Sequence, residues 1–177
     1  MENNKSVLDR VFEETGVKYD NAPYINWSKI SINHKLSEKF MREFKYKIDW
    51  NCISKYQKLS EDFIREFKNK VNWGFICIYQ KLSENFIREF KDKVAWVYIS
   101  KYQKLSENFI REFKDKVIWD CISVHQNLSE EFMKEFNLKV DAYNWLYKDT
   151  EFKKNRIIEL GLYECHDDHF IAYKSIR

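Results

Sequence analysis

"WVYISKYQKLSENFIREFKDKV" occupies Trp96 to Val117, and its portion from Tyr102 onward repeats, letter for letter, the stretch from Tyr79 to Val94. The two copies are offset by 23 residues. Working outward, Trp27, Trp50, Trp73, Trp96 and Trp119 keep that interval, as do the Leu-Ser-Glu triplets that begin at Leu36, Leu59, Leu82, Leu105 and Leu128. Five tandem units follow: 27–49, 50–72, 73–95, 96–118 and 119–141. A fixed period of this size marks a repeat array whose units bury their apolar faces only against neighbours.

Within one unit, Phe109, Phe113 and Val117 recur at steps of four with Ile110 beside them, which gathers them on one helical face and leaves the charges on the other. Ser106 suits an N-cap, because its hydroxyl can take an orphan N–H of the first turn, and Glu107 complements the positive helix end. Glu107 with Arg111 and Glu112 with Lys116 are i,i+4 pairs in the favourable orientation, each worth about 0.2–0.5 kcal/mol. Trp96, Ile99 and Gln103 set out a second, shorter helix. The step from Val94 to Trp96 swings the apolar face by about 200° at the helical period, so a break lies between them, with Asp49, Asn72 and Asp141 as its expected caps. Each unit reads as a short helix, a turn, a longer helix and a turn. The fold class is mainly α, an α-solenoid of short helical hairpins in which each Trp fills the gap between the helix before it and the hairpin it begins.

The ends differ from the middle. Residues 1–26 read as an N-terminal capping segment, with an amphipathic helix through Val7, Leu8, Val11 and Phe12 that stops at Gly16. Residues 142–161 read as a degenerate capping repeat, with Trp145 and Leu146 near the Ile slot and Gly161 ending the helix; terminal units diverge because one side meets water. Residues 162–177 alternate in strand fashion around His166-Asp167-Asp168-His169. That stretch is expected to form a small C-terminal β-hairpin, which has to pack on the array or pair elsewhere.

Composition removes several function classes. Charge is nearly balanced, 31 basic against 28 acidic side chains, and a net +3 attracts phosphate backbones only weakly. With 3 Gly and 1 Pro, Gly-rich phosphate loops and long irregular stretches are excluded. No run approaches the roughly 18 apolar residues of a membrane span, and "MENNKSVLDRVFEETG" lacks the apolar core of a signal peptide. Cys52, Cys77, Cys121 and Cys165 form no CxxC pair and read as reduced thiols of a cytosolic protein. The expected location is the cytoplasm.

The unit W-x-x-I-S-K-Y-Q-K-L-S-E-x-F-I-R-E-F-K-D-K-V resembles tandem repeats of uncharacterised proteins from bacteriophages, large DNA viruses and AT-rich bacterial genomes, over residues 27–141. The tail "GLYECHDDHFIAYKSIR" is similar to the opening of a further domain that follows such repeats, of which this chain would hold only the start. The resemblance implies a mobile-element or viral setting, with the host cytosol as the location. It supplies no catalytic residue.

Little in the chain suggests chemistry. "CHDDH", Cys165 to His169, offers metal-ligating side chains, but strand neighbours point to opposite faces and no second ligand pair stands elsewhere, so a polar turn is the preferred reading and neither metal nor cofactor is expected. No paired carboxylates or Ser-His-Asp order is present, and four His leave little for an active site. The protein reads as a non-enzyme. Charged rows recur instead: Arg42, Arg65, Arg88, Arg111 and Lys134 beside Glu43, Glu66, Glu89, Glu112 and Glu135. Arg65, Arg88 and Arg111 could track a nucleic-acid backbone while Tyr56, Tyr79 and Tyr102 stack on bases. The acidic row repels the same phosphates, which favours a self-neutralised, solvated face.

The copies agree at the Trp, Ile, Leu-Ser-Glu and Phe positions and vary on the Trp-bearing helix at its second, third and sixth positions. These lie about 100° to 200° from the Trp on a helical wheel. A constant frame with varied outward side chains is how repeat scaffolds build one binding surface; neutral drift of helices packed on both sides is the competing account. Phe75, Ile78, Val97, Tyr98, Lys101 and Val124 occupy the variable positions and are the candidate contacts, since an exposed apolar patch points to a protein partner. The expected function is a non-enzymatic helical-repeat protein that binds a host or viral protein, as a phage or viral inhibitor of host defence of the anti-CRISPR kind would. Nucleic-acid binding along the basic rows and sequestration of a small molecule are the alternatives.

Overall fold

The structure, a computed structural model, describes residues 5–136, 163–166 and 169–172, and the chain divides into two compact units, Met1–Ala95 and Trp96–Arg177. Eleven α-helices occur among the described residues. The first unit holds α1 (Val7–Thr15), a 3-10 turn (Ala22–Tyr24), α2 (Trp27–Asn33), α3 (Glu38–Glu43), α4 (Trp50–Tyr56), α5 (Glu61–Glu66), α6 (Trp73–Tyr79) and α7 (Glu84–Glu89). The second holds α8 (Trp96–Tyr102), α9 (Glu107–Glu112), α10 (Trp119–His125), α11 (Glu130–Glu135) and two strands, β1 (Tyr163–His166) and β2 (His169–Ala172). The strands pair antiparallel with His166 opposite His169. No described helix is long and apolar enough to cross a membrane. The degenerate repeat expected at 142–161, the cap Asp141 and the turn residues Asp167 and Asp168 lie outside the described residues.

The helix starts follow the capping chemistry of the sequence. The hydroxyls of Ser37, Ser60, Ser83, Ser106 and Ser129 accept the N–H of Phe40, Phe63, Phe86, Phe109 and Phe132 in turn, satisfying one orphan donor of each first turn. Asn26, Asp49 and Asn72 cap α2, α4 and α6, whereas Ile118 before α10 offers no side-chain bond. In α1, Ser6 and Asp9 form a reciprocal capping box, and Gly16 ends the helix at φ 73°, a left-handed conformation that glycine adopts without a Cβ clash.

The second helix of each repeat is not the longer one. It spans six residues against seven for the Trp-bearing helix. Phe113 leaves the helix at φ −111°, ψ 29°, and the N–H groups of Lys116 and Val117 both return to its carbonyl, at 2.8 and 3.0 Å. This closing turn still folds Val117 into the core. A helix continued to Val117 would leave a single residue to reverse the chain before Trp119, so the reversal is done by the turn, and Lys116 sits in it and not on the helix with Glu112. Glu107 and Arg111, both inside α9, pair at 3.8 Å.

The Trp side chains are also placed differently from the expected inward position. The residues wholly enclosed include Ile53, Phe63 and Ile64 and their counterparts Ile76, Phe86 and Ile87, and Ile99, Phe109 and Ile110. Trp50 is half-buried at the core's edge. Its ring packs on Phe67 and Phe63 of its own repeat (centroids 4.8 and 6.1 Å), and its indole N–H donates to the Lys45 carbonyl of the preceding repeat at 3.0 Å. Trp73 and Trp119 donate to Lys68 and Lys114 in the same way. The Trp thus bridges the preceding turn and its own hairpin, from the rim and not from the centre.

Successive Trp-bearing helices pack side by side, α2 on α4 on α6 in the first unit and α8 on α10 in the second. Three polar ladders join the repeats. A buried glutamine reaches back one repeat: Gln57 Nε2 donates to the carbonyls of Ser31 (2.8 Å) and His34 (2.7 Å), and its Oε1 accepts the Leu36 N–H (2.9 Å). Glu38 and Glu61 accept the Ser60 and Ser83 N–H of the next repeat, at 2.8 and 2.6 Å. Arg42 and Arg65 pair with Glu66 and Glu89, at 2.6 and 2.7 Å. The second unit repeats all three with Gln126, Glu107–Ser129 and Arg111–Glu135. At the N-terminus Glu14 accepts the Ser37 N–H and Arg10 pairs with Glu43, so α1 makes the bonds that the second helix of a preceding repeat would make.

Candidate binding face

The variable positions of the Trp-bearing helices sit on a frame held by their own buried residues. Ile53 and Ser54 of α4, at the fourth and fifth positions, are fully enclosed, which turns the remaining positions away from the core. The serine is fixed in turn: Ser54 Oγ donates to the Trp50 carbonyl (2.6 Å) and accepts the Asn72 N–H (2.9 Å), closing its repeat on itself. Cys77 takes this role in the next repeat, bonded by the Ala95 N–H and with its thiol pKa pushed up by burial. Cys52, Cys77 and Cys121 are free thiols.

In the first unit, the sixth-position Lys55 organises an aromatic cluster. Its Nζ lies 4.9 Å from the ring centre of Tyr56 on its own helix, and 5.8 and 5.7 Å from those of Phe75 and Tyr79 on α6. Phe75 and Tyr79 are themselves in contact, centroids 6.1 Å apart. A cation held near several ring faces is attracted by their quadrupoles. The neighbouring Tyr56 and Tyr79 phenols raise the ammonium's pKa above its ordinary value. Tyr56 and Tyr79 leave about half of their surface in water, at 49% and 50%, while Phe75 and Ile78 are half-buried between the packed helices.

In the second unit, Val97 is exposed at 44% and Tyr98 is half-buried against Tyr102, centroids 6.3 Å apart. Lys101 is exposed and lies over the Tyr102 ring at 5.3 Å. Val124 on α10 is half-buried. Of the residues expected at a protein contact, then, Phe75 and Ile78 share α6 in one unit, and Val97, Tyr98, Lys101 and Val124 belong to the other. At the third position Lys29 is exposed, whereas Cys52, Phe75, Tyr98 and Cys121 are half-buried and less open than a helical wheel suggests.

The arginines expected at a nucleic-acid contact are engaged. Arg65 is bonded to Glu89 (2.7 Å) and Asp62 (2.8 Å) with its guanidinium 5.0 Å from the Phe86 ring. Arg111 is held by Glu135 (2.8 Å) over Phe132 (4.7 Å), and Arg88 pairs with Glu84 (3.7 Å). Tyr56, Tyr79 and Tyr102 stand on the other helix of each repeat. Lys55 was visible only as a variable letter; that two of its three rings come from the next repeat is a matter of packing.

Among the described residues, no group of three or more His, Cys, Asp or Glu could hold a metal ion. No protein-family model matches the chain, and no curated protein and no solved structure matches it either.

Proposed function

We propose that this chain is a non-enzymatic α-solenoid that binds a protein partner through the outward side of its Trp-bearing helices. The observation that supports this reading is the cluster of Tyr56, Phe75 and Tyr79 around Lys55, aromatic surface held partly open to water by a rigid repeated frame. Aromatic side chains presented on ordered elements are the usual anchors of protein interfaces. The viral setting implied by the repeat's resemblance attaches to it a partner in host defence, engaged in the cytoplasm in the manner of an anti-CRISPR inhibitor. The β1–β2 pair is read as a small hairpin that ends the array.

A photo-crosslinking phenylalanine analogue placed at Tyr79, in cells that express the full chain, tests the reading. A discrete cross-linked protein that disappears in a Phe75→Glu background with unchanged helical circular dichroism is the expected result. Absence of any cross-linked protein, or one indifferent to Phe75→Glu, overturns it.

A further inference from the structure

We infer that the Trp-helix face of the first unit is shaped for an acidic protein segment, one whose carboxylates alternate with apolar side chains; this rests on the protein-binding reading above. Charge is segregated along each repeat. The stretches 27–36, 50–59 and 73–82 contain Lys29, Lys35, Lys55, Lys58 and Lys81 and no Asp or Glu. The stretches that follow them, 37–48, 60–71 and 83–94, carry both signs, and there Arg42 and Arg65 meet Glu66 and Glu89 within hydrogen-bond distance. None of the five lysines has a carboxylate within ion-pair reach among the described residues.

The nearest carboxylate in sequence to α4 is already used. Asp49 accepts the N–H groups of Asn51 and Cys52 and is bonded by the Ser28 hydroxyl. The array therefore pairs arginine with glutamate along its second helices and leaves the Trp-helix stretches with ammonium groups and no carboxylate, Lys29 and Lys55 on α2 and α4 and Lys35, Lys58 and Lys81 in the turns that follow α2, α4 and α6. Complementary charge from outside completes such a surface, steering the encounter and selecting the partner.

Two features favour a protein over a nucleic acid. Arginine, whose planar fork suits phosphates and stacks on bases, is absent from all three stretches. Ile32, exposed at 43%, and Ile78 interrupt the lysines with aliphatic groups, which offer a base no stacking platform but suit a Leu or Val. Packed helices stand about 8–10 Å apart and an extended chain advances about 3.3 Å per residue, so one carboxylate in roughly three residues matches one helix step. In the second unit Lys101 and Tyr102 repeat the pattern on α8, but Asp120 enters α10. The inference is accordingly confined to the first unit.

Full-length protein incubated on an array of random peptides of about twelve residues, at about 0.15 M salt, provides the test. Peptides retained by the wild type should be net negative, rich in apolar residues, and retained about tenfold less by Lys55→Glu. Lys39→Glu, an exposed change on α3, should retain them as the wild type does. Neutral or basic peptides that survive Lys55→Glu would overturn the acidic partner and leave the protein-binding reading standing. If no peptide is retained, whether or not a single-stranded oligonucleotide of mixed sequence binds in a parallel gel shift, both fail.

Discussion

Gln80 reaches back a full repeat to Gln57: its Nε2 donates to the Gln57 main-chain carbonyl at 2.8 Å. The same nitrogen donates to the Ser54 carbonyl at 3.1 Å, and the amide oxygen accepts the Leu59 N–H at 3.0 Å. Gln57 makes the matching three bonds to the repeat before it, and the first repeat, which has no earlier repeat to tie to, carries His34 at this position. One buried side chain thus satisfies three main-chain groups where one helix ends and the next begins.

Removing that strut should be costly. Gln80→Ala leaves buried polar groups without partners, at about 1–3 kcal/mol for each group that water cannot reach, so a loss of about 3 kcal/mol is expected. Gln80→Glu should lose more at neutral pH, because a carboxylate would face the Ser54 and Gln57 carbonyls, and should recover in acid as the carboxyl takes up a proton. Denaturant midpoints at neutral and acidic pH check both. A Gln80→Glu protein as stable as the wild type at neutral pH would contradict the ladder.

The placement of the aromatics gives a ranking. Phe63 is fully enclosed, so Phe63→Ala should cost about 3–5 kcal/mol. Trp50, half-buried at the rim, should cost less when cut to Ala despite its larger ring, since part of its cavity opens to water. Urea titrations of the two variants decide it, and a greater loss at Trp50 would move the core to the Trp row.

Ile118, before α10, makes no side-chain cap bond. It shares the backbone of Asp49, φ −93° and ψ 104° against −85° and 107°. Ile118→Asp should therefore accept an N–H of α10's first turn and raise stability by about 0.5–1 kcal/mol, while Asp49→Ala should lower it by about 1 kcal/mol. A rise in thermal midpoint for the first and a fall for the second are the expected readings.

Acid should weaken the array in a defined window. The Asp49 carboxyl is held below its ordinary range chiefly by the Cys52 N–H, and that of Glu107 chiefly by the Ser129 N–H. Groups with a depressed folded pKa contribute stability that is fully present above the unfolded value, about 4, and is lost as pH falls through the depressed one. Asp49→Asn keeps an acceptor for the cap, as Asn72 demonstrates, but removes the titration. Its denaturation midpoint should fall less steeply than the wild type's below about pH 4. Parallel curves would exclude Asp49 as a contributor.

Much of this was legible in the chain itself. The interval between Trp residues gives the repeat, the steps from Phe109 to Phe113 to Val117 give the buried face, and Ser106 gives a helix start. The first needs only the period of the letters, and the other two succeed because each step depends on residues about one helical turn apart. The same pattern overstates the length of α9, since the closing turn at Phe113 keeps Val117 on the buried side as well as a helix would. Lys55 likewise looked like any other variable letter, because Phe75 and Tyr79 approach it only when α6 packs on α4.

What the sequence alone determined is the unit: its period, its caps and its apolar face. What only the tertiary structure decided is which copy each polar group serves. Glu38 follows Ser37 and reads as support for its own helix, yet it accepts the N–H of Ser60, and Arg42 reaches Glu66 as well as Glu38. In a near-exact repeat, a bond made within one copy and a bond made to the next leave the same letters at the same interval. Only the packing distance between α-helical neighbours, which brings each glutamine, glutamate and arginine alongside the adjacent copy, separates the two.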